Sequence, residues 1–221
     1  MNFKQHLEKL NTQGGHWNMI TVDGVVGVGK STLMDILVKE RGLIPFEEPV
    51  VDNPILDWFY TERERWSLTL QIFFFLKRSK DVRKASLIQN AILDRSIYGD
   101  LIFAKMLFDK GDMKKEEYEL YIEFFEDSIQ LCKPPKLMIY LESSVEEAMR
   151  KINKRGRDYE QVVERAYWED LNSYYQEYFN QYDSSPVLRI NVDHLDFENN
   201  PEHQKYVLNL VDDKLAEIDQ M

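Results

Sequence analysis

The 221-residue chain carries one cysteine, Cys132. A single thiol builds no intramolecular disulfide and no cysteine metal cluster, which favours an intracellular setting. The four histidines, His6, His16, His194 and His203, are scattered and form no H-x-x-x-H pair, so none is expected to ligate a metal. Long apolar runs are also missing. The densest, residues 72–76, is five residues long, whereas a membrane-spanning helix needs roughly 20. Residues 1–16 are polar and lack an apolar core, so no signal peptide is expected and the protein is read as cytoplasmic. Positive charge is scarce: 28 Lys and Arg stand against 39 Asp and Glu, a net charge of −11. Nucleic-acid polymers and anionic membranes both demand a positive face, so neither is an expected partner. A small phosphorylated ligand senses only local charge and stays open.

What is present is enough for a folded core, at 43% hydrophobic residues. No repeat or low-complexity linker divides the chain. Residues 1–17 read as an N-terminal extension without an assigned role, and 18–221 as a single domain. Short apolar runs at 19–23, 43–47, 91–94, 137–141 and 187–191 read as strands. They are continuous rather than alternating, as suits parallel strands covered on both faces. Helical patterns lie between them, most clearly at 31–39, 66–89, 114–131, 145–155 and 162–181. Strands alternating with helices imply an α/β domain with a parallel sheet. Ligands of such sheets gather at the carboxyl ends of strands, here just after Asp23, Glu47 and Asp94.

After the first run comes Gly24-Val25-Val26-Gly27-Val28-Gly29-Lys30-Ser31-Thr32. It matches G-x-x-x-x-G-K-[S/T], the phosphate loop, between a strand and a helix. The glycines let successive N–H groups curl around phosphate oxygens, and the next helix adds its positive end. Lys30 neutralises the β- and γ-phosphates and the Ser31 hydroxyl binds Mg²⁺. A nucleoside triphosphate is therefore expected. A GTPase would carry N-K-x-D and D-x-x-G. Here Asn153-Lys154 runs into Arg155-Gly156, and Asp94-Arg95-Ser96 follows the third strand, so a small-molecule kinase is favoured over a nucleotide switch.

Glu47-Glu48-Pro49 ends the second strand. A carboxylate there faces the phosphate loop and suits a general base on an attacking hydroxyl. The two glutamates point to opposite faces, so one of them is the base. Asp94 is placed to hold Mg²⁺. Arg95 can bridge donor and acceptor through its fork of donors. Arg150, Lys151, Lys154, Arg155 and Arg157 form the one dense basic cluster, and Gly156 among them reads as part of a lid at about 150–162 that closes over phosphate and excludes water.

Taken together, these residues resemble the deoxyribonucleoside kinase family, over roughly 18–218. The likeness rests on the phosphate loop, Glu48-Pro49-Val50, Trp66-Ser67 with Gln71, Asp94-Arg95-Ser96 with Asp100, and Arg155-Gly156-Arg157 with Glu160. Asp52-Asn53-Pro54-Ile55-Leu56 and Leu195-Asp196-Phe197 bring it nearest to the bacterial deoxyadenosine/deoxyguanosine kinases. The resemblance implies a P-loop kinase with a five-stranded parallel sheet flanked by helices and a basic lid. It implies transfer of the γ-phosphoryl of ATP, with Mg²⁺, to the 5′-hydroxyl of a deoxynucleoside. By that resemblance Glu48 is the base and Arg95 steadies it. Gln71 reads the nucleobase edge. Tyr60 and Glu160 hold the 3′-hydroxyl, and Phe103 stacks on the base. Ser31 and Asp94 form the metal side, and Lys30, Lys151, Arg155 and Arg157 clamp the phosphates.

The chain departs from the family in having Asp94 where many relatives have Glu, and Lys151 where they have Arg. Arg150 is then an alternative clamp. Arg78 and Asp100 match the pair that lines the base pocket of relatives accepting purines or deoxycytidine. That ranks deoxyadenosine or deoxyguanosine first, deoxycytidine next and thymidine last. Relatives are commonly homodimers, and end-product triphosphate inhibition is a family expectation. Tyr118, Tyr121, Ile122, Phe125 and Ile129, with Leu120, Phe124 and Leu131, put apolar residues on more than one face of a helix, which fits a buried partner face. A nucleoside monophosphate kinase stays open through Arg63, Arg65 and Arg78.

Overall fold

The computed structural model describes residues 19–47, 53–157, 160 and 163–220. Five parallel strands form one sheet in the order β2-β3-β1-β4-β5. They are β1 (Met19–Asp23), β2 (Ile44–Phe46), β3 (Ala91–Asp94), β4 (Leu137–Glu142) and β5 (Val187–Asn191). The helices are α1 (Lys30–Arg41), α2 (Pro54–Thr61), α3 (Arg63–Ala85), α4 (Gly99–Asp109), α5 (Lys115–Ile129), α6 (Val145–Arg155), α7 (Arg165–Gln181) and α8 (Pro201–Asp219). The α/β architecture and the five strands expected from sequence are present.

Every residue of β1 is buried, and β3 and β4 are buried but for their last residues. The expectation that all five strands are covered on both faces fails at β2 and β5. Ile44 is exposed, and only Ile190 of β5 is buried. Both strands lie at sheet edges and pair on one side only. Register aligns Val22 with Asp94 and Asp23 with Tyr140, so the carboxyl ends of β1, β3 and β4 open onto one edge.

Local chemistry sets the helix ends at that edge. Asn53 caps α2, accepting the Ile55 N–H at 3.0 Å, and Pro54 opens the helix where no donor is needed. Ser144 caps α6, with Glu146 and Glu147 in its first turn and Lys154 and Arg155 in its last. These charges complement the helix dipole. The α6 terminus carries the basic cluster over the edge where β1 ends. Tyr118, Tyr121, Ile122, Phe125 and Ile129 of α5 face the core, whereas Leu120 and Leu131 are exposed and Phe124 is half-buried. Cys132 is buried, and burial pushes its thiol up to about 11, which makes it a packing group.

Candidate active site

The phosphate loop joins β1 to α1. Gly27 has φ +80°, and a Cβ there would lie 2.6 Å from the Ala148 carbonyl oxygen of α6. Only glycine allows the loop and α6 to approach this closely. Val25 and Val28 are buried, at 5% and 0% exposure. These two loop residues therefore have only backbone to offer a phosphate, a refinement of the expectation that all nine loop residues bind it. The Lys30 ammonium folds over the loop and donates to the carbonyls of Gly24 and Val25, each at 3.1 Å.

Asp23, which sequence reasoning left without a role, is fully buried under the loop. Its carboxylate accepts the Gly24 N–H at 2.8 Å and the Ser96 N–H and hydroxyl at 3.0 and 2.7 Å. It ties the first residue of the loop to the segment after β3. Asp94 ends β3 and Arg95 follows it. The Ser31 hydroxyl donates to Asp94 Oδ2 at 3.4 Å. Two hard oxygen groups thus stand together at the mouth of the loop, the donor chemistry Mg²⁺ prefers. Among the described residues no cluster of three or more His, Cys, Asp or Glu forms a metal cage. An ion here would share its coordination with phosphates and water, as Mg²⁺ ordinarily does.

One cavity of about 960 Å³ runs from the loop to α3 and α4. Its donor end is walled by Gly29, Lys30, Ser31, Thr32, the α6 terminus and the 193–199 segment. Lys151, rather than Arg150, reaches the loop: its ammonium donates to the Val28 carbonyl at 3.2 Å and lies 5.9 Å from the Phe197 ring centroid. Arg150 is mostly exposed and held by Glu147 at 2.7 Å. Burial lowers the pKa of Lys151 below the ordinary lysine value, with nearby Glu147 opposing it. The other lid cations are engaged too. Lys154 pairs with Glu198 at 3.2 Å, and Arg155 donates to Glu160 at 2.5 and 2.6 Å. Arg157 lies 3.7 Å from the same carboxylate.

The other end is lined by Tyr60, Gln71, Arg78, Arg95, Asp100, Phe103 and Glu160, the residues expected from sequence on the acceptor side. They come from α2, α3, the stretch from Arg95 into α4, and Glu160 beyond α6. Gln71 and Glu160 are buried, as suits groups that bond a ligand rather than water. Arg78 and Asp100 form a buried ion pair, with side chains 5% and 4% exposed. Arg78 is therefore not a helix-surface charge. Of the three arginines that kept a monophosphate acceptor open, it alone lines the cavity. The Arg63 and Arg65 guanidiniums instead lie over Tyr167 and Trp66, at 4.8 and 5.2 Å from the ring centroids. Glu48 lies outside the described residues. Its neighbour Glu47 is exposed and lines the cavity. Phe74 and Tyr167 also line it. Neither stood out in sequence, because an aromatic at helical spacing reads as core.

Comparison with known proteins agrees with this geometry. The deoxynucleoside kinase family model matches residues 20–216. A deoxyadenosine/deoxycytidine kinase of Bacillus subtilis is 38% identical over 199 residues, 88% of this chain and 90% of that protein. A deoxyguanosine kinase of Lactobacillus johnsonii is 35% identical, over 90% of this chain and 93% of that one. The structure of deoxyadenosine kinase from M. mycoides with bound dATP superposes with a TM-score of 0.78 at 31% identity, covering 88% of this chain and 99% of the other. No helix among the described residues is long and apolar enough to cross a membrane. A phosphate loop and a wall of polar, charged and aromatic side chains thus share one cavity in a fold matched nearly end to end, and the chain belongs to the deoxynucleoside kinase family, enzymes that phosphorylate deoxynucleosides.

Proposed function

We propose that the chain transfers the γ-phosphoryl of ATP to the 5′-hydroxyl of deoxyadenosine or deoxyguanosine, with deoxycytidine next and thymidine last, in the cytoplasm. The observation that carries the substrate choice is the buried Arg78–Asp100 pair on the same wall as Gln71. A carboxamide offers one donor and one acceptor in a plane and matches a base edge. The charged pair accepts polar base substituents, and a thymine methyl against it would strip it of polar company.

In this reading Glu48 takes the proton of the 5′-hydroxyl as it attacks. Arg95 and Lys30 offset the charge that spreads over the transferring group. Tyr60 and Glu160 bond the 3′-hydroxyl and orient the sugar, while Phe103 stacks on the base. Lys151, Arg155 and Arg157 hold the donor phosphates. Glu160 engages Arg155 and Arg157 as well as facing the cavity, so the lid and the acceptor pocket share one carboxylate. Ser31 and Asp94 would hold Mg²⁺, which offsets phosphate charge when bound. Exposed Ile72 and Leu76 on α3, Leu120 on α5 and Leu131 just beyond its end support a homodimer through these helices. The test is kcat/KM for the four deoxynucleosides with ATP. Deoxyadenosine or deoxyguanosine should lead; a thymidine preference would overturn the substrate assignment.

A further inference from the structure

Arg95 adopts φ +68°, a left-handed conformation that a non-glycine residue keeps only when its surroundings over-determine it. Its backbone N–H donates to the Val22 carbonyl at 2.8 Å. Its guanidinium is buried, and Nη1 donates to the Gly24 carbonyl at 3.0 Å and to the hydroxyl of Tyr175. That hydroxyl in turn donates to Asp23 Oδ1 at 3.2 Å. Arg95 Nη1 and Asp23 Oδ1 are themselves 3.8 Å apart. The phenol oxygen thus bridges a cation and an anion whose own ion-pair distance, 3.8 Å, is longer than a hydrogen bond.

Of these three groups, a guanidinium only donates and a carboxylate only accepts. A hydroxyl does both, and so can be inserted between them. Tyr175 has no freedom to leave. Its ring is fully buried on α7, edge-on to Phe103 at 6.1 Å and stacked with Tyr140 at 6.3 Å. Asp23 is fixed by the donors from Gly24 and Ser96. A Cβ on Gly99 would come within 2.8 Å of its Oδ2, so α4 starts with the one residue that leaves room for the carboxylate.

We propose that Tyr175 is a positioning residue for Arg95: its hydroxyl keeps the guanidinium from closing onto Asp23 and aims it into the cavity. Without the hydroxyl, the guanidinium and Asp23 collapse into a direct pair, which is the stronger bond for both. Arg95 is then drawn down beneath the phosphate loop and away from the reacting oxygens. The proposal rests on the reading of Arg95 as a group at the reaction centre. It adds that α7, the helix following the lid, sets the direction of that group.

The test is a double-mutant cycle in the full-length enzyme: wild type, Tyr175→Phe, Arg95→Lys and the double variant, with kcat and both KM values for each. Tyr175→Phe keeps the stacked ring. It should lower kcat about 10- to 100-fold, the scale of a small misplacement at a reaction centre, and leave both KM values within about twofold. On the Arg95→Lys background the same change should cost less than about twofold, because the group it positions is gone. An equal loss on both backgrounds, or an unchanged kcat in Tyr175→Phe, overturns the proposal while leaving Arg95 at the centre. An unchanged kcat in Arg95→Lys overturns the reading of Arg95 and the proposal with it. Far-ultraviolet circular dichroism checks folding. If Tyr175→Phe does not fold, Tyr175→His enters the same cycle with the same two outcomes.

Discussion

Removing Asp100 alone should be far more damaging than removing Arg78 and Asp100 together. The two side chains are 5% and 4% exposed, so neither charge has water to fall back on. The Arg78 guanidinium lies 5.4 Å from the Phe74 centroid, and Tyr121 beside the pair is completely buried. Burial first, and the Asp100 carboxylate second, push the Tyr121 phenol well above its ordinary pKa, so it cannot serve as a replacement anion. At ~4 Å and an effective dielectric near 20 the pair attraction is about 4 kcal/mol. Stranding one partner costs about 3–5 kcal/mol. For a chain of this size that is a fall of roughly 6–20 °C in Tm. The double variant Arg78→Met/Asp100→Ala should regain most of that loss, since it leaves no buried charge. Differential scanning fluorimetry reads the stabilities, and kcat/KM for the four deoxynucleosides reads the pocket. Relief of ~1–3 kcal/mol of desolvation against a methyl group should raise thymidine relative to deoxyadenosine by roughly 5- to 140-fold in the double variant. The reasoning is refuted if Asp100→Ala shifts Tm by less than about 2 °C, or if the double variant loses the sum of the two singles. Unchanged relative rates for all four nucleosides would refute the link to base choice.

Other consequences are as direct. Glu48→Gln should lower turnover by about 10²–10⁴, the scale of a lost general base, while ATP still binds by calorimetry; if Glu47→Gln does so instead, the strand register is off by one. In the proposed reading Lys151 binds phosphate as a cation, and burial lowers its pKa from 10.5. Its contribution to kcat/KM for ATP should therefore be complete below its lowered pKa and fall as pH rises through it, before the ordinary lysine range. Lys151→Arg should move that descending limb to higher pH, and a limb unmoved between the two proteins would assign it elsewhere. On the proposed homodimer, Leu76→Lys with Leu120→Lys should halve the mass seen by light scattering; an unchanged mass would locate the interface off α3 and α5, and a wild-type monomer would reject the dimer.

Much of this was legible in the chain. Continuous apolar runs marked the strands to within a residue, because central parallel strands are covered on both faces and leave no alternation to misread. The edge strands β2 and β5 share that pattern without the burial. Helix α4 did not stand out. Leu101, Ile102, Ala104, Met106 and Leu107 are all buried and fall on several sides of it, so it has little amphipathic period. Helix α2 has only eight residues, too few for a period to repeat twice. The phosphate loop was legible because backbone curling dictates its glycine spacing. Which of Lys151 and Arg150 touches the loop was not, since one residue of helical turn separates a group on the Val28 carbonyl from one held by Glu147. Tyr175 gave no signal at all. It sits in a tyrosine-rich amphipathic helix, and what distinguishes it is a contact with residues 80 and 152 positions away.

The most direct test of the account is the product itself. The wild-type enzyme is incubated with ATP and deoxyadenosine or deoxyguanosine, and the mixture is followed by phosphorus NMR with proton correlation. The account predicts equal amounts of ADP and one new phosphate resonance coupled to the 5′ protons of the sugar. ADP formed without any nucleoside, coupling to the 3′ proton, or turnover only when a nucleoside monophosphate is supplied would contradict it.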